Sequence, residues 1–204
     1  MATVAPIDFY FDLASPYAWY LSEPLQALAD RHGRELRWHP VLLWAVLKQI
    51  GMPPPLENEV KKRYVVDDMY RSARFFGRPD FKLPTRFPVS SHLPARAYHA
   101  LAVDDAPQAR RFADAAFRAY FTRDANIGDA ETVAGIGAAI GISKDRMHAA
   151  MTGEAAKDAL RIANQTAAER GVWGSPFVFI DDQAYFGADR LPQIEAHLAG
   201  ALRR

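Results

Sequence analysis

The sequence predicts an α/β fold in which a β-α-β opening and a β-β-α closing segment share one sheet, separated by a large all-helical block. Three observations carry this. A short aromatic run, "IDFYF", is followed within a few residues by the Ser-Pro start of an amphipathic segment. Residues from about 96 to 171 read almost entirely as helix. Near the end, two short apolar runs flank "DDQ" and lead into a last amphipathic segment.

Taken in order, residues 7–11 are aromatic-rich and read as a buried strand. Ser15 and Pro16 supply a cap and a first helical position, and Leu21, Leu25 and Leu28 then recur on one helical face. Gly33 ends that helix, and "ELRWHPVLL" restores a strand in which Leu36 and Trp38 alternate. A parallel pair joined by a crossover helix is the expected result. "MPPPLENEVKKR" is a proline-rich turn entering a charged helix that continues through "RYVVDDMYRSARFFG". Residues 77–94 contain Pro79, Pro84, Pro88 and Pro94, which predicts a loop. In the helical block that follows, Asp129 and Ser143 suit N-caps and Gly171 a C-cap. "FVFI" (177–180) and "AYF" (184–186) form a hairpin, and a last helix starts near Asp189. It carries Leu191, Ile194, Leu198 and Leu202 on one face, with Arg203 and Arg204 complementing its C-terminal dipole. With the block removed, this is the element order of a thioredoxin-type unit. The expected division is residues 1–43 and 172–204 as the thioredoxin-like part and 44–171 as the helical insertion.

Composition narrows the chemistry. The chain has 204 residues and a formal net charge of +1, with basic residues spread along it, so no nucleic-acid footprint is expected. There is no cysteine, which excludes disulfides, thiolate metal sites and a cysteine nucleophile of the protein's own. The six histidines (His32, His39, His92, His99, His148, His197) show no ligand spacing, so no metal is expected. Asp67 and Asp68 read as a solvated helix edge. The first residues have no basic region or long apolar core, and no apolar run approaches the roughly 20 residues that span a bilayer. The expected location is the cytoplasm, with no membrane partner.

Three stretches could carry function. Ser15 stands at the carboxyl end of the first strand, where free N–H groups and the helix dipole favour an anion. A cap role alone also explains it, and the two roles are compatible. In "GVWGSPF", Pro176 either starts a strand or follows a cis Ser175–Pro176 bond, an alternative that pattern alone leaves open. In "YFGADRL", Asp189 is either an N-cap or, with the backbone after Gly187, a cradle for an amino-acid-like ligand end.

Together these motifs resemble the 2-hydroxychromene-2-carboxylate isomerases, relatives of the kappa-class glutathione transferases within the DsbA-like thioredoxin superfamily. "DFYFDLASPYAWY" is similar to the family's strand–Ser-Pro-Tyr–helix signature, and "HPVLLWAVLKQIG" to its second strand and the start of its insertion. "KKRYVVDDMYRSARFFGRP" and "FPVSSHLPARA" follow its middle motifs, and "GVWGSPFVFIDDQAYFGADRL" its cis-proline and closing segment. The resemblance implies a glutathione-dependent isomerase, in which Ser15 favours the thiolate of the bound tripeptide. Ser175, before Pro176, would pair with the tripeptide backbone, and Gly187, Ala188 and Asp189 would hold its γ-glutamyl end; Lys62 is a further cofactor-binding candidate that could reach a ligand carboxylate. Tyr17, Trp44, Lys48, Met52 and Ser90 would line the side of a small aromatic substrate. Ser15, Pro16, Tyr17 and Ala18 stand where redox-active relatives carry Cys-x-x-Cys, so dithiol chemistry is excluded. Trp44, Met52, Ser90 and Ala188 depart from the residues common in the family, which makes the expected pocket more apolar. A kappa-type transferase and a non-catalytic binder of small molecules or peptides are the alternatives. The family analogy also implies a homodimer.

Overall fold

The aromatic run and its partners assemble into a four-stranded sheet in a computed structural model that describes residues 5–54 and 56–202. Strand β1 (Ile7–Phe11) runs parallel to β2 (Leu36–Pro40), with Ile7 opposite Leu36 and Phe11 opposite Pro40. β3 (Phe177–Ile180) and β4 (Gln183–Phe186) follow antiparallel, giving the order β2-β1-β3-β4. Pro40 closes an edge strand, where a missing N–H costs no ladder bond. The β3–β4 turn consists of Asp181 and Asp182 alone, both at positive φ (48° and 63°). Gln183 therefore belongs to β4 and not to the turn, because a two-residue turn of that twist matches a right-handed hairpin.

Helix α1 (Pro16–Arg31) crosses from β1 to β2, and Gly33, at positive φ, redirects the chain beyond it. Between the sheet halves lie α2 (Leu43–Gln49), α3 (Glu59–Phe75), α4 (His92–Asp104), α5 (Ala106–Arg123), α6 (Ala130–Ala138), α7 (Lys144–Thr152) and α8 (Glu154–Glu169). The predicted thioredoxin-type order with a helical insertion is thus the observed one. Asp129 caps α6 through the N–H of Thr132 and Ser143 caps α7 through that of Arg146, as their positions predict. The proline-rich loop is shorter than expected: α4 begins at His92, and Pro94 sits in its first turn, where no intrahelical N–H is needed. At the end of the chain, Ala188–Arg190 form a 3₁₀ turn before α9 (Leu191–Leu198). Leu202 lies beyond that helix and is exposed, so only its predecessors pack. Arg203 and Arg204 are outside the described residues.

Strand alternation sorts β1 between two cores. Ile7, Phe9 and Phe11 face α1 and α5, with the Phe11 ring 5.8 Å from that of Phe117. Tyr10 faces the other way, into a smaller cluster with Val41, Val46, Ala167, Val172 and Phe177. Each large side chain so buried contributes roughly 1.5–3 kcal/mol. Residues of the sheet, α1, α4, α5, α6 and α7 share the first core, which holds both strand-end loops against the insertion. That arrangement fixes the position of the Ser15 turn.

Candidate active site at the Ser15 turn

The chain leaves β1 at Asp12 and turns into α1 at Ser15, whose extended backbone (φ −96°, ψ 116°) is that of an N-cap. Its hydroxyl accepts from the Ala18 N–H at 3.3 Å and donates to the Ser175 carbonyl at 2.9 Å. Pro16 occupies the first helical position, and the Tyr17 N–H has no intrahelical acceptor by its place in the first turn. Both roles read from the sequence therefore meet in one hydroxyl: it caps α1 and it faces the cis-proline loop.

The Ser175–Pro176 bond is cis, which decides the alternative that pattern left open. Phe87–Pro88 is also cis. Ser175 is buried, and its own hydroxyl accepts from the Asp12 N–H at 2.8 Å. The Pro176 carbonyl accepts from the Gly187 N–H at 3.1 Å, so the "GAD" segment is laced to the same loop. Gly187 has φ 102°, and a Cβ there would collide with the Asp189 carboxylate. Ala188 is buried; Asp189 is exposed and pairs with Arg190. Asp189 is not an N-cap, since it lies inside the 3₁₀ turn and caps no N–H. Ser15, Ser175, Pro176, Gly187, Ala188 and Asp189 thus form one connected group.

The remaining expected residues stand on α1, on α2 and just past its end, on α3 and before α4. Tyr17 donates its hydroxyl to Asp68 at 2.8 Å, fastening α3 to α1. Burial, and then the Asp68 carboxylate, push this phenol far above its ordinary range, so it stays a protonated donor. Asp68 is therefore no solvated edge: it also accepts from Arg71 and Ser72, while Asp67 is exposed. Lys62 stands on α3 one turn before Val65, near whose carbonyl the Tyr17 hydroxyl ends, and pairs with Glu59 at 3.4 Å. Trp44 and Lys48 stand on α2, with Met52 just past its end; Trp44 is 54 % and Met52 42 % exposed. Ser90 is exposed and bonded to the His92 ring at 3.1 Å.

The segments that carry Trp44 and Ser90 are held to the Ser15 turn by a residue that sequence reasoning missed. Asp12 is buried, and its carboxylate accepts from the N–H of Ala14 (2.8 Å), the N–H of Leu43 (2.8 Å) and the hydroxyl of Ser91 (2.5 Å). Leu43 precedes Trp44 and Ser91 follows Ser90, so Asp12 ties both to the Ser15 turn. Neither helix supplies its own side-chain cap: Leu42 cannot, and the Ser91 hydroxyl is spent on Asp12. Asn164 on α8 holds the Leu42 N–H at 2.8 Å. Burial pushes the Asp12 carboxyl up, against the lowering effect of its three donors. The signal in the sequence was an acid closing an apolar strand directly before the Ser-Pro turn.

A groove of about 1100 Å³ lies elsewhere, between α1, β2, α5 and α6. It is lined by residues such as Gln26, Trp38, Arg110 and Ile136, and by none of the expected site residues. Volume alone does not mark the chemistry here, because the groove brings together no linked polar set like that at Ser15. Among the described residues no group of His, Asp or Glu is gathered as a metal site, and no helix is long and apolar enough to cross a membrane.

Fold and site together define a class: a thioredoxin-fold protein whose strand-to-helix turn presents a hydroxyl opposite a cis-proline and no thiol. The profile of the DSBA-like thioredoxin domain matches residues 6–199, and the chain belongs to that family. It is 29% identical over 194 residues to a 2-hydroxychromene-2-carboxylate isomerase of Sphingobium xenophagum, covering 94% of this chain and 97% of the relative. It is 27% identical to glutathione S-transferase kappa 2 of Caenorhabditis elegans, over 95% and 91% of the two chains. A solved 2-hydroxychromene-2-carboxylate isomerase shares the fold, with a TM-score of 0.84 at 24% identity over 97% and 96% of the chains.

Proposed function

We propose that this protein is a glutathione-dependent isomerase acting on 2-hydroxychromene-2-carboxylate or a similar conjugated aromatic carboxylate. The observation that carries the reading is the Ser15 hydroxyl, set at a helix start and bonded across to Ser175, in a chain without cysteine. The names of the relatives favour both halves of it, the isomerisation and the tripeptide.

The residues present suit glutathione. The helix start favours an anion, the hydroxyl can turn from the Ser175 carbonyl toward it, and the freed carbonyl can then accept from a peptide N–H. Gly187 leaves its side of the loop without a side chain, and Asp189, exposed, offers a carboxylate to an ammonium. When bound, glutathione supplies what the chain lacks, a nucleophilic thiolate for reversible addition to a conjugated acid. Ser15 stabilises negative charge on the sulfur, an electrostatic role. Lys48 offers a positive charge to the substrate carboxylate and Trp44 an aromatic face. On this reading the protein works in the cytoplasm, where thiols are kept reduced.

A thermal-shift titration tests the reading, since a ligand of the native state raises stability by mass action. A rise in Tm with millimolar glutathione is expected; no shift sinks it. The likeness to a kappa transferase favours a second reading, conjugation without isomerisation. Mass spectrometry separates the two: an isomer has the substrate's mass, and a conjugate also carries that of the tripeptide.

A further inference from the structure

Asp12 takes no part in the steps above, yet it bonds to the Ser15 turn, the cis-proline loop, α2 and the start of α4. Its carbonyl accepts from the Ser15 N–H at 2.9 Å, and its own N–H donates to the Ser175 hydroxyl. Its carboxylate holds the first turn of α2 through Leu43 and the start of α4 through Ser91. Among the described residues no Lys, Arg or His bonds to it, and its carboxyl is met by neutral donors alone. A buried acid with that partner set is costly to keep unless its geometry is used.

We propose that Asp12 is a positioning residue, a step that rests on the glutathione reading above. Its carboxylate locks the Ser15 turn to the first turn of α2, and so sets the spacing between the group Ser15 holds and Trp44 and Lys48. The carboxylate bonds α2 at its first N–H, immediately before Trp44, where the helix has no cap of its own. A loosened α2 would leave Ser15 and Ser175 in place, because their mutual bond does not pass through the carboxylate.

The test compares Asp12→Asn, which keeps the shape and loses one acceptor, with the wild type. Glutathione affinity, from calorimetry, is expected to stay within threefold. Amide exchange at Leu43 in the free protein should accelerate at least tenfold, and KM for the aromatic carboxylate should rise at least tenfold. A merely structural role would lower Tm without this split between the two ligands. An unchanged KM, or an equal loss of affinity for both ligands, overturns the proposal. If Asp12→Asn does not fold, Ser91→Ala decides: KM is expected to rise about threefold with glutathione affinity intact, and no change overturns it. A wild type that binds no glutathione removes the functional reading and this proposal together. A wild type that turns over beside an Asp12→Asn with unchanged KM removes this proposal alone.

Discussion

Two aspartates at opposite ends of one strand are treated in opposite ways. Asp8, near the start of β1, meets His39 at 2.8 Å and Arg170 at 2.7 Å, and the guanidinium lies 4.2 Å from the Phe179 ring. Burial pushes its carboxyl up, but the hydrogen bonds and charges of His39 and Arg170 more than reverse this and hold it at about 2. Asp12, just past the other end, has no cation, and burial leaves it raised. The first end is neutralised and serves stability. The second is met only by backbone and hydroxyl donors, and it is the end where the proposed chemistry sits. The comparison shows where the fold spends its cations.

The contrast can be broken most sharply at Ser15. In the proposed isomerisation, Ser15→Ala is expected to lower kcat by about 100-fold or more, the scale of losing one preorganised donor. Its cost in stability is only about 1 kcal/mol, that of a lost cap, and a urea melt beside steady-state kinetics reads both. Asp12→Ala, which strands the buried Ser91 hydroxyl and two part-buried N–H groups, should cost about 3 kcal/mol in the same melt. Arg170→Met should cost less, about 1–2 kcal/mol at neutral pH, after allowance for its partial exposure. The sign follows from Asp8. Its folded pKa lies below the ordinary 3.8, so its contribution is complete above about pH 4 and is lost as pH falls toward 2. In Arg170→Met that loss should begin at higher pH, which acid titration by circular dichroism would show. Asp12 has the opposite sign: its ionisation costs the folded state as pH rises through its raised pKa. Gly187→Ala should cost about 1 kcal/mol from its positive φ and weaken glutathione binding by displacing Asp189. Smallest of all, Trp44→Ala should change stability by less than about 0.5 kcal/mol while raising KM for the aromatic acid.

Much of this was legible in the sequence, and the limits have physical causes. Strand and helix starts announced themselves through local rules: "IDFYF" by aromatic density, Ser15-Pro16, Asp129 and Ser143 by capping. The Asp-Asp turn was misplaced by one residue, because two consecutive positive φ values at aspartate leave little mark on a pattern. Pro94 reads as loop beside three other prolines, although a helix's first turn accepts it. The Ser15–Ser175 bond joins residues 160 positions apart, and only the family resemblance brought them together. Asp12, Ser91 and Asn164 escaped for the same reason: each caps or holds a segment distant in the chain, and no local spacing encodes that. Asp68 looked like a surface acid because its partner, Tyr17, lies 51 positions away.

The single proton of the Ser15 hydroxyl has a further consequence. In the free protein it is already given to a neutral carbonyl, so the site is not short of a partner. A newcomer must accept that proton more strongly than an amide oxygen does. Hydrogen bonds to charged groups are worth about 1.5–3 kcal/mol against about 0.5–1.5 for neutral ones. An ionised sulfur passes that comparison and a neutral one does not. In the proposed reaction the serine pair would therefore act as a charge filter, favouring the anion while the sulfur bears one and returning to its own carbonyl when the charge is gone.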